Sequence, residues 1–257
     1  MELKPVENSC AVEIDPGVPA IGRIRLWVPE AIVSNTGNCA VYPVGDWSTS
    51  ADGLRQTIPV ENSVGPGNCP RIDETSFECC GIRIPADQRV EWETSVFAEK
   101  DRTTFTIRVT NLGDQPVRKA TAAICMKFCE AEWWSDERTF GVSGGTAVPL
   151  SELGMDAGRP NTFQAYLLKG VEYENVFYRE YWGINRHRLD RALLVSEHTE
   201  AGLCVGIESE SAYGMHSNRG NPCTDMLLAF GDIEGHGTAE AAGAMWVRRG
   251  LGKDIIG

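Results

Sequence analysis

The most regular pattern along the chain is an alternation of apolar and polar residues with a period of two. Residues 23–28, 90–96 and 105–110 each show it. In the second of these segments, valine and tryptophan alternate with glutamate and serine. Such alternation is typical of antiparallel strands that bury one face and leave the other in water. We therefore predict a half-buried strand in each segment.

Residues 118–128 follow the third of these strands and are open to two interpretations. Apolar spacings of three and four residues fit a helix, whereas a strand-like alternation runs through Ala120, Ala122, Ile124, Met126 and Phe128. Residues 111–116 carry the turn-forming residues Asn, Gly, Asp and Pro. A turn at that place favours a β-hairpin, and hence a strand over 118–128.

Weaker patterns in the rest of the chain predict further short strands separated by turns. Further strands are predicted at 192–195, 203–207 and 241–247, a short helix around 172–182, and turn-rich stretches at 34–38, 46–53, 61–70, 141–146 and 213–222. The 27 glycines and 13 prolines are spread throughout, and no long amphipathic helix stands out. The sequence thus predicts a single all-β domain over residues 1–257, a large antiparallel β-sandwich of two sheets with few short helices.

Two segments resemble elements of large bacterial β-sandwich proteins. Residues 105–120, which read Phe-Thr-Ile-Arg-Val-Thr-Asn-Leu-Gly-Asp-Gln-Pro-Val-Arg-Lys-Ala, resemble their strand, Thr-Asn turn and return strand. Residues 230–247 resemble their loop and closing strand. The resemblance is to the supersandwich of aldose epimerases and related galactose mutarotase-like carbohydrate-active proteins, and it implies that fold. It does not imply epimerase activity, because the catalytic histidine motif of true aldose epimerases is not recognisable in this sequence.

The net charge of the chain argues against two classes of binding partner, nucleic acids and anionic membranes. Lys and Arg number 24 against 36 Asp and Glu, which gives a formal net charge of -12. Such an acidic chain is poorly suited to the phosphate backbone of nucleic acids or to an anionic membrane surface. No apolar run is long enough to span a membrane, and the N-terminal residues are polar and acidic. We therefore expect a cytoplasmic protein without nucleic-acid or membrane partners.

The nine cysteines are odd in number and irregularly spaced, which is atypical of a disulfide framework. We predict that most are reduced, buried thiols. Cys79 and Cys80 are adjacent and would point to opposite faces of a strand, whereas Cys125 and Cys129 would share a face. The spacing of Cys125 and Cys129 occurs in some zinc sites, but a structural zinc site usually has two close cysteine or histidine pairs in a recognisable frame, so no metal and no cofactor is predicted.

Residues 178–191 form a cationic and aromatic segment within an acidic chain. It contains the candidate binding residues Arg179, Trp182, Arg186 and Arg188 and the candidate catalytic residues Tyr181 and His187. Guanidinium groups bind carboxylates in a bidentate manner, and aromatic rings stack on sugars, so an acidic sugar suits both features. The alternative is a solvated face whose arginines pair with neighbouring acidic residues.

A second candidate segment covers residues 213–222 and is rich in Gly, Asn and Ser. His216 is a candidate base, Tyr213 a candidate acid and Arg219 a candidate anion clamp. An exposed turn explains the same composition. The remaining histidines are predicted to be structural, with His198 at a charged hairpin end and His236 in a tight turn.

Two functions fit these features. The first is a carbohydrate epimerase, isomerase or lyase, in which Arg186 or Arg188 clamps the substrate, His187 or His216 is the base, and Tyr181 or Tyr213 is the acid. The second is a non-catalytic sugar-binding or assembly module, with an exposed aromatic platform made of Trp47, Trp133 and Trp134. Both predict a small-molecule or oligosaccharide ligand. Signatures of serine hydrolases, zinc proteases, phosphate loops and dinucleotide folds are absent, and oligomeric state is left open.

Overall fold

Two large β-sheets face each other and bury the hydrophobic core between them. The structure is a computed structural model, and it describes residues 1–34, 39–41, 47–50, 53–58, 71–73, 76–79, 82–85, 90–130, 132–154, 163–172, 183–218 and 221–256. Both large sheets contain nine strands, and a three-stranded sheet accompanies them. The predicted all-β, two-sheet sandwich is confirmed.

In chain order the strands are β1 (Glu2–Pro5), β2 (Ala11–Asp15), β3 (Ile24–Val33), β4 (Cys39–Val41), β5 (Trp47–Ser50), β6 (Gly53–Ile58), β7 (Arg71–Asp73), β8 (Ser76–Cys79), β9 (Ile82–Pro85), β10 (Val90–Ala98) and β11 (Arg102–Asn111). They continue with β12 (Val117–Phe128), β13 (Thr139–Ser143), β14 (Thr146–Pro149), β15 (Phe163–Leu167), β16 (Gly183–Ile184), β17 (Leu193–His198), β18 (Leu203–Glu208), β19 (Ala212–Asn218), β20 (Cys223–Ile233) and β21 (Thr238–Arg249). A short helix, α1 (Gly252–Ile256), follows, and two 3-10 turns lie at Leu150–Leu153 and Thr199–Ala201.

Sheet A has the strand order β1-β2-β3-β12-β20-β19-β15-β16, with β4 also paired to β3. Sheet B has the order β14-β13-β17-β18-β21-β11-β10-β6-β5, and β7, β8 and β9 form sheet C. The pairing of β15 with β16 is parallel, and the other paired strands described in sheets A and B are antiparallel. None of the helices in the described part of the chain is long and apolar enough to cross a membrane.

The alternating segments of the sequence form the walls of the core. Ile24 and Leu26 of β3, Ile124 of β12, and Trp92 and Phe105 of sheet B are buried in one cluster. The hydroxyl of Thr94 in sheet B donates to the carbonyl oxygen of Val28 in sheet A at 3.1 Å, which ties the two layers together. The ambiguous residues 118–128 lie in β12, so the strand interpretation is confirmed.

Two of the predicted turn-rich stretches are wrong. Residues 46–53 contain strand β5, and residues 213–222 begin within strand β19. In β19 the residues Gly, Ser and Asn, which are poor strand formers alone, pair with β15 on one side and β20 on the other. Backbone pairing on both sides therefore overrides the local preference.

Of the other turn and helix predictions, one turn is confirmed and the rest lie almost wholly outside the described residues. The stretch 141–146 contains the β13–β14 hairpin turn, where Gly144 and Gly145 have φ values of 66° and 79° that suit a two-residue turn. The stretches 34–38 and 61–70 and the helix around 172–182 fall almost wholly outside the described residues. Five cysteines whose side chains the structure describes are free thiols, and four of these five are buried: Cys10, Cys125, Cys204 and Cys223, but not Cys129.

Asn111 explains the Thr-Asn turn of the segment 105–120. Its amide nitrogen donates to the carbonyl oxygens of Gln115 at 2.7 Å, Ile233 at 3.2 Å and Glu234 at 3.2 Å. Its amide oxygen accepts from the backbone N–H of Gly113 at 3.0 Å. One buried side chain thus joins the β11–β12 turn to the end of β20.

We expect Asn111→Asp to lower the free energy of unfolding by about 2 kcal/mol, because the carboxylate has no N–H for the three carbonyl oxygens and adds buried charge. The neighbouring variant Thr110→Ala, whose hydroxyl contacts Thr238 near the surface, is the matched control and is expected to change it by less than about 1 kcal/mol. Urea denaturation of both variants checks the difference. Equal stabilities would mean that the Asn111 amide does not hold this turn.

Candidate functional site

A row of side chains crosses the middle of sheet A on the face turned away from the core. The register pairs Trp27 with Cys125, Cys125 with Asp225, and Asp225 with His216, across β3, β12, β20 and β19. Directly paired residues point to the same face of a sheet. Their chain neighbours, including Leu26, Met126, Met226 and Met215, point into the core. We call these four residues, Trp27, Cys125, Asp225 and His216, the outer row.

His216 and Asp225 form a buried polar pair within the outer row. Nδ1 of His216 lies 2.7 Å from Oδ2 of Asp225, and the two side chains are 0% and 3% exposed. The second carboxylate oxygen, Oδ1, is buried and has no hydrogen-bond partner among the described residues. A carboxylate held out of water in this way fixes the orientation of the imidazole ring.

Two cysteine thiols lie beside this pair. The Sγ atom of Cys223 is 3.8 Å from Oδ2 of Asp225. The pKa of the Cys125 thiol is raised well above its ordinary value by its hydrogen bond with Cys223, by burial and by the charge of Asp225. For Cys223 the hydrogen bond with Cys125 lowers the pKa, but burial and the nearby carboxylates outweigh it and raise the pKa to about 11. Both thiols are therefore protonated at neutral pH and are weak nucleophiles.

The neighbouring row on the same face carries charge. The register aligns Glu13, Arg25 and Lys127 with Cys223. Arg25 forms an ion pair with Glu13 at 2.5 Å, and its guanidinium carbon lies 5.7 Å from the centre of the Trp27 ring. The hydrogen bond from Arg25 lowers the pKa of Glu13, so the carboxylate stays ionised. The half-buried indole of Trp27 and the cations Arg25 and Lys127 thus lie on the same face of sheet A as the His216–Asp225 pair, with Lys127 on the strand next to that of Asp225 and Trp27 and Arg25 one strand further.

Tyr213, the predicted acid, lies on the same strand as His216 but at a different level of the sheet. The register is irregular between Ala212 and Gly214, which places Tyr213 at a bulge. Burial raises the pKa of the Tyr213 phenol, and a hydrogen bond with Thr121 lowers it by less. Thr121 precedes Cys125 by four residues, which is about 13 Å along a strand. The described contacts therefore do not join Tyr213 to His216.

The predicted residues His187, Arg186 and Arg188 lie in a turn that follows the edge strand β16. The backbone N–H of His187 donates to Oδ1 of Asn185 at 2.9 Å, and a guanidinium nitrogen of Arg188 donates to the Asn185 carbonyl oxygen at 2.7 Å. The last residue of β16 pairs with β15, which separates this turn from β19. The described contacts link the turn to Asn185 rather than to His216. The other predicted site residues, Arg179, Tyr181, Trp182 and Arg219, lie outside the described residues.

The remaining histidines have the predicted structural roles. Nδ1 of His198, at the end of β17, accepts from the backbone N–H of Ala201 at 3.4 Å and lies 3.2 Å from Oε2 of Glu200. His236 occupies a tight turn with φ of 58°, and its Nε2 lies 2.9 Å from Oδ1 of Asp114. Both predictions are confirmed.

The predicted exposed aromatic platform is wrong. The side chains of Trp47, Trp133 and Trp134 are half-buried and pack against the core cluster. Trp133 also stacks on His198 with a centroid distance of 5.3 Å. These rings gain more from burial against apolar neighbours than from standing in water.

Two open cavities lie away from the outer row. One, of about 750 Å³, is lined by Trp133, His198, Arg138 and Glu200, among others. The guanidinium of Arg138 already pairs with Glu200 at 3.1 Å there. The other, of about 770 Å³, lies along sheet B and includes Arg102, which pairs with Glu208. Because their charges are largely paired internally, the outer row is the stronger candidate site.

Sequence reasoning missed Asp225, Cys125, Cys223 and Trp27 as site residues. The available signal was a carboxylate and a cysteine two residues apart, Cys223 and Asp225, directly before the apolar run Met-Leu-Leu-Ala. A charged residue beginning a buried strand is rare unless it has a partner. Trp27 was also visible, because it alternates onto the polar side of the predicted strand 23–28 together with Arg25.

Comparison with known proteins gives structural similarity only. No protein-family model matches the chain, and a search of curated proteins finds no match. Among the solved structures to which the chain is similar is the galactose mutarotase related enzyme from Lactobacillus acidophilus, with 7% sequence identity and a TM-score of 0.48 over 98% of this chain and 99% of that chain. A putative aldose 1-epimerase from Escherichia coli K12 has 12% identity and a TM-score of 0.42 over 88% of this chain and 84% of that chain. A galactose mutarotase-like protein from Lactobacillus casei ATCC 334 has 10% identity and a TM-score of 0.45 over 96% of this chain and 100% of that chain. The resemblance suggested by residues 105–120 and 230–247 is thus confirmed as a weak one. At these identities and TM-scores it says nothing about ligand or reaction.

Proposed function

We propose that the outer face of sheet A binds a small carbohydrate and that His216 and Asp225 catalyse a proton transfer on it, as an epimerase or isomerase does. The observation that carries this proposal is the buried contact of 2.7 Å between Nδ1 of His216 and Oδ2 of Asp225. A histidine whose ring is oriented by a carboxylate is a common general acid–base.

In this proposal Asp225 orients the imidazole ring, and His216 transfers the proton. Asp225 accepts the Nδ1–H of His216, which selects one tautomer and stabilises the imidazolium formed during the reaction. Nε2 of His216 then takes a proton from a ring hydroxyl or from a carbon beside a carbonyl, and returns it to the product. Because the pair is shielded from water, its electrostatic interactions are stronger than they would be in solvent.

The surroundings of the pair support a sugar as the ligand. The indole of Trp27 is half-buried and packs partly against the core cluster, and the part that remains accessible is an apolar surface of the kind on which sugar rings stack. Lys127 lies in the adjacent row, on the strand next to that of Asp225, and supplies positive charge for a carboxylate, which favours an acidic sugar, whereas Arg25 is already paired with Glu13. We therefore keep His216 as the base and assign the anion clamp to Lys127 on the same face of the sheet.

The test is to incubate the protein with a panel of neutral and acidic monosaccharides. NMR would follow anomer or epimer ratios and the exchange of carbon-bound protons in D2O, and calorimetry would measure binding. Conversion or exchange supports the proposal. Binding without either supports instead a non-catalytic sugar-binding module, which the pairing of Trp27 with Arg25 would also serve. A panel that gives neither binding nor conversion would exclude both carbohydrate functions.

A further inference from the structure

Three potential metal ligands meet on the outer face of sheet A. The thiol sulfurs of Cys125 and Cys223 and a carboxylate oxygen of Asp225 all lie within 4.8 Å of one another, and all three residues are buried. The ligands come from two neighbouring strands, since Cys125 in β12 is paired with Asp225 in β20. A hydrogen-bonded sheet holds such positions rigidly, which suits a preformed site.

The separation between one thiol sulfur and the carboxylate is close to that in a tetrahedral zinc centre. With Zn–S of about 2.3 Å and Zn–O of about 2.0 Å, tetrahedral angles require S···S of about 3.8 Å and S···O of about 3.5 Å. The separation between Sγ of Cys223 and Oδ2 of Asp225 is 3.8 Å. A contraction of a few tenths of an ångström therefore brings this pair into coordination geometry.

The local charge also favours a cation. Oδ1 of Asp225 is buried and has no hydrogen-bond partner among the described residues, although a buried carboxylate oxygen normally has one. Binding of a divalent cation to the two thiolates releases two thiol protons to solvent, so the two positive charges of the cation replace those of the two protons and the net charge of the cluster does not change. The cation is thus accommodated without additional buried charge.

We propose that Cys125, Cys223 and Asp225 form a binding site for a thiophilic divalent cation, with Zn²⁺ as its natural occupant. Two thiolates and one carboxylate are ligands that zinc accepts, whereas magnesium and calcium prefer oxygen alone. Nδ1 of His216 contacts Oδ2 of the same carboxylate, so His216 is a positioning residue for the ligand Asp225. The site shares Asp225 with the proton transfer proposed above, but metal binding does not require that reaction.

The test uses reduced, chelator-treated full-length protein titrated with Co²⁺ and then with Zn²⁺. We expect one equivalent of Co²⁺ to give thiolate-to-metal charge-transfer absorption and the intense visible bands of tetrahedral cobalt, both abolished by Zn²⁺. Cys125→Ser and Cys223→Ser are each expected to weaken binding by more than about 100-fold. The matched control is Cys204→Ser in sheet B, a buried thiol whose Sγ donates to the carbonyl oxygen of Gly250 at 3.0 Å, and it should bind as the unmodified chain does.

The outcomes separate this proposal from the carbohydrate function. The His216→Gln variant should keep the cobalt charge-transfer band while losing turnover, so either proposal can fail alone. Absence of the band in the reduced unmodified protein, or its persistence in both serine variants, would overturn the metal site. Should a serine variant not fold, X-ray absorption of the zinc-loaded unmodified protein decides, because the proposal requires two sulfur ligands.

Discussion

The His216→Gln variant is expected to lower turnover of the carbohydrate substrate by about 100-fold or more while the protein stays folded. Glutamine still offers an amide N–H to Asp225 but has no group that takes up a proton at neutral pH. General acid–base catalysis by one side chain contributes on the order of 100-fold to 10,000-fold. Steady-state rates on the saccharide that the panel identifies would measure the loss, and calorimetry would check that the ligand still binds.

His187→Gln is the matched control for this variant. His187 was the other candidate base, and it lies in the turn after β16, where its backbone N–H is held by Asn185. We expect its turnover to be unchanged. If His187→Gln lost activity while His216→Gln kept it, the base would belong to the edge turn. Unchanged rates in both variants would exclude histidine as the base.

Strands that bury one face were readable from the sequence. β10 and β11 alternate between buried and partly exposed residues along most of their length, and the alternation in the sequence predicted them. β12 is buried on both faces over most of its length, and there the turn residues 111–116, not the alternation alone, favoured the strand. A strand can be predicted from its own sequence where one face of the sheet is in water, because polar residues then occupy that face and apolar residues the buried one.

The central strands of sheet A, β19 and β20, could not be predicted from an alternation of apolar and polar residues. β20 begins with six consecutive buried residues, so its sequence shows an apolar run rather than an alternation. β19 contains Gly, Ser and Asn that suggested a loop, and only its pairing on both sides makes it a strand. The burial of both faces removes the periodic signal from the strands that carry the candidate site.

The candidate site was only partly predictable for a related reason. His216 was selected from its composition, but its partner Asp225 depends on the β19–β20 register, and Cys125 is 100 positions earlier in the chain. Residues 183–189, which suggested a site through their clustering along the sequence, lie instead at the edge of sheet A. Proximity along the chain is a poor guide in a sheet whose neighbouring strands are distant in sequence.

The Asp225→Ala variant is expected to lower the free energy of unfolding by about 3–5 kcal/mol, measured by urea denaturation with a chelator present so that no metal contributes. The large cost arises because the imidazole of His216 loses its buried partner and is not reached by water. Replacing His216 as well removes the other half of the buried pair. The double variant His216→Leu with Asp225→Ala is therefore expected to cost less than the sum of the two single variants, by about 1–3 kcal/mol.

A second His–Asp pair on the surface provides the matched control for this coupling. Nε2 of His236 lies 2.9 Å from Oδ1 of Asp114, a separation close to that of the buried pair, but the side chains are 69% and 89% exposed. Water solvates either group when its partner is removed. The corresponding single and double variants of His236 and Asp114 should therefore show no measurable coupling energy. Equal coupling in the two pairs would mean that burial does not strengthen the His216–Asp225 contact. The pair would then lack the shielding from water on which its proposed role in proton transfer depends.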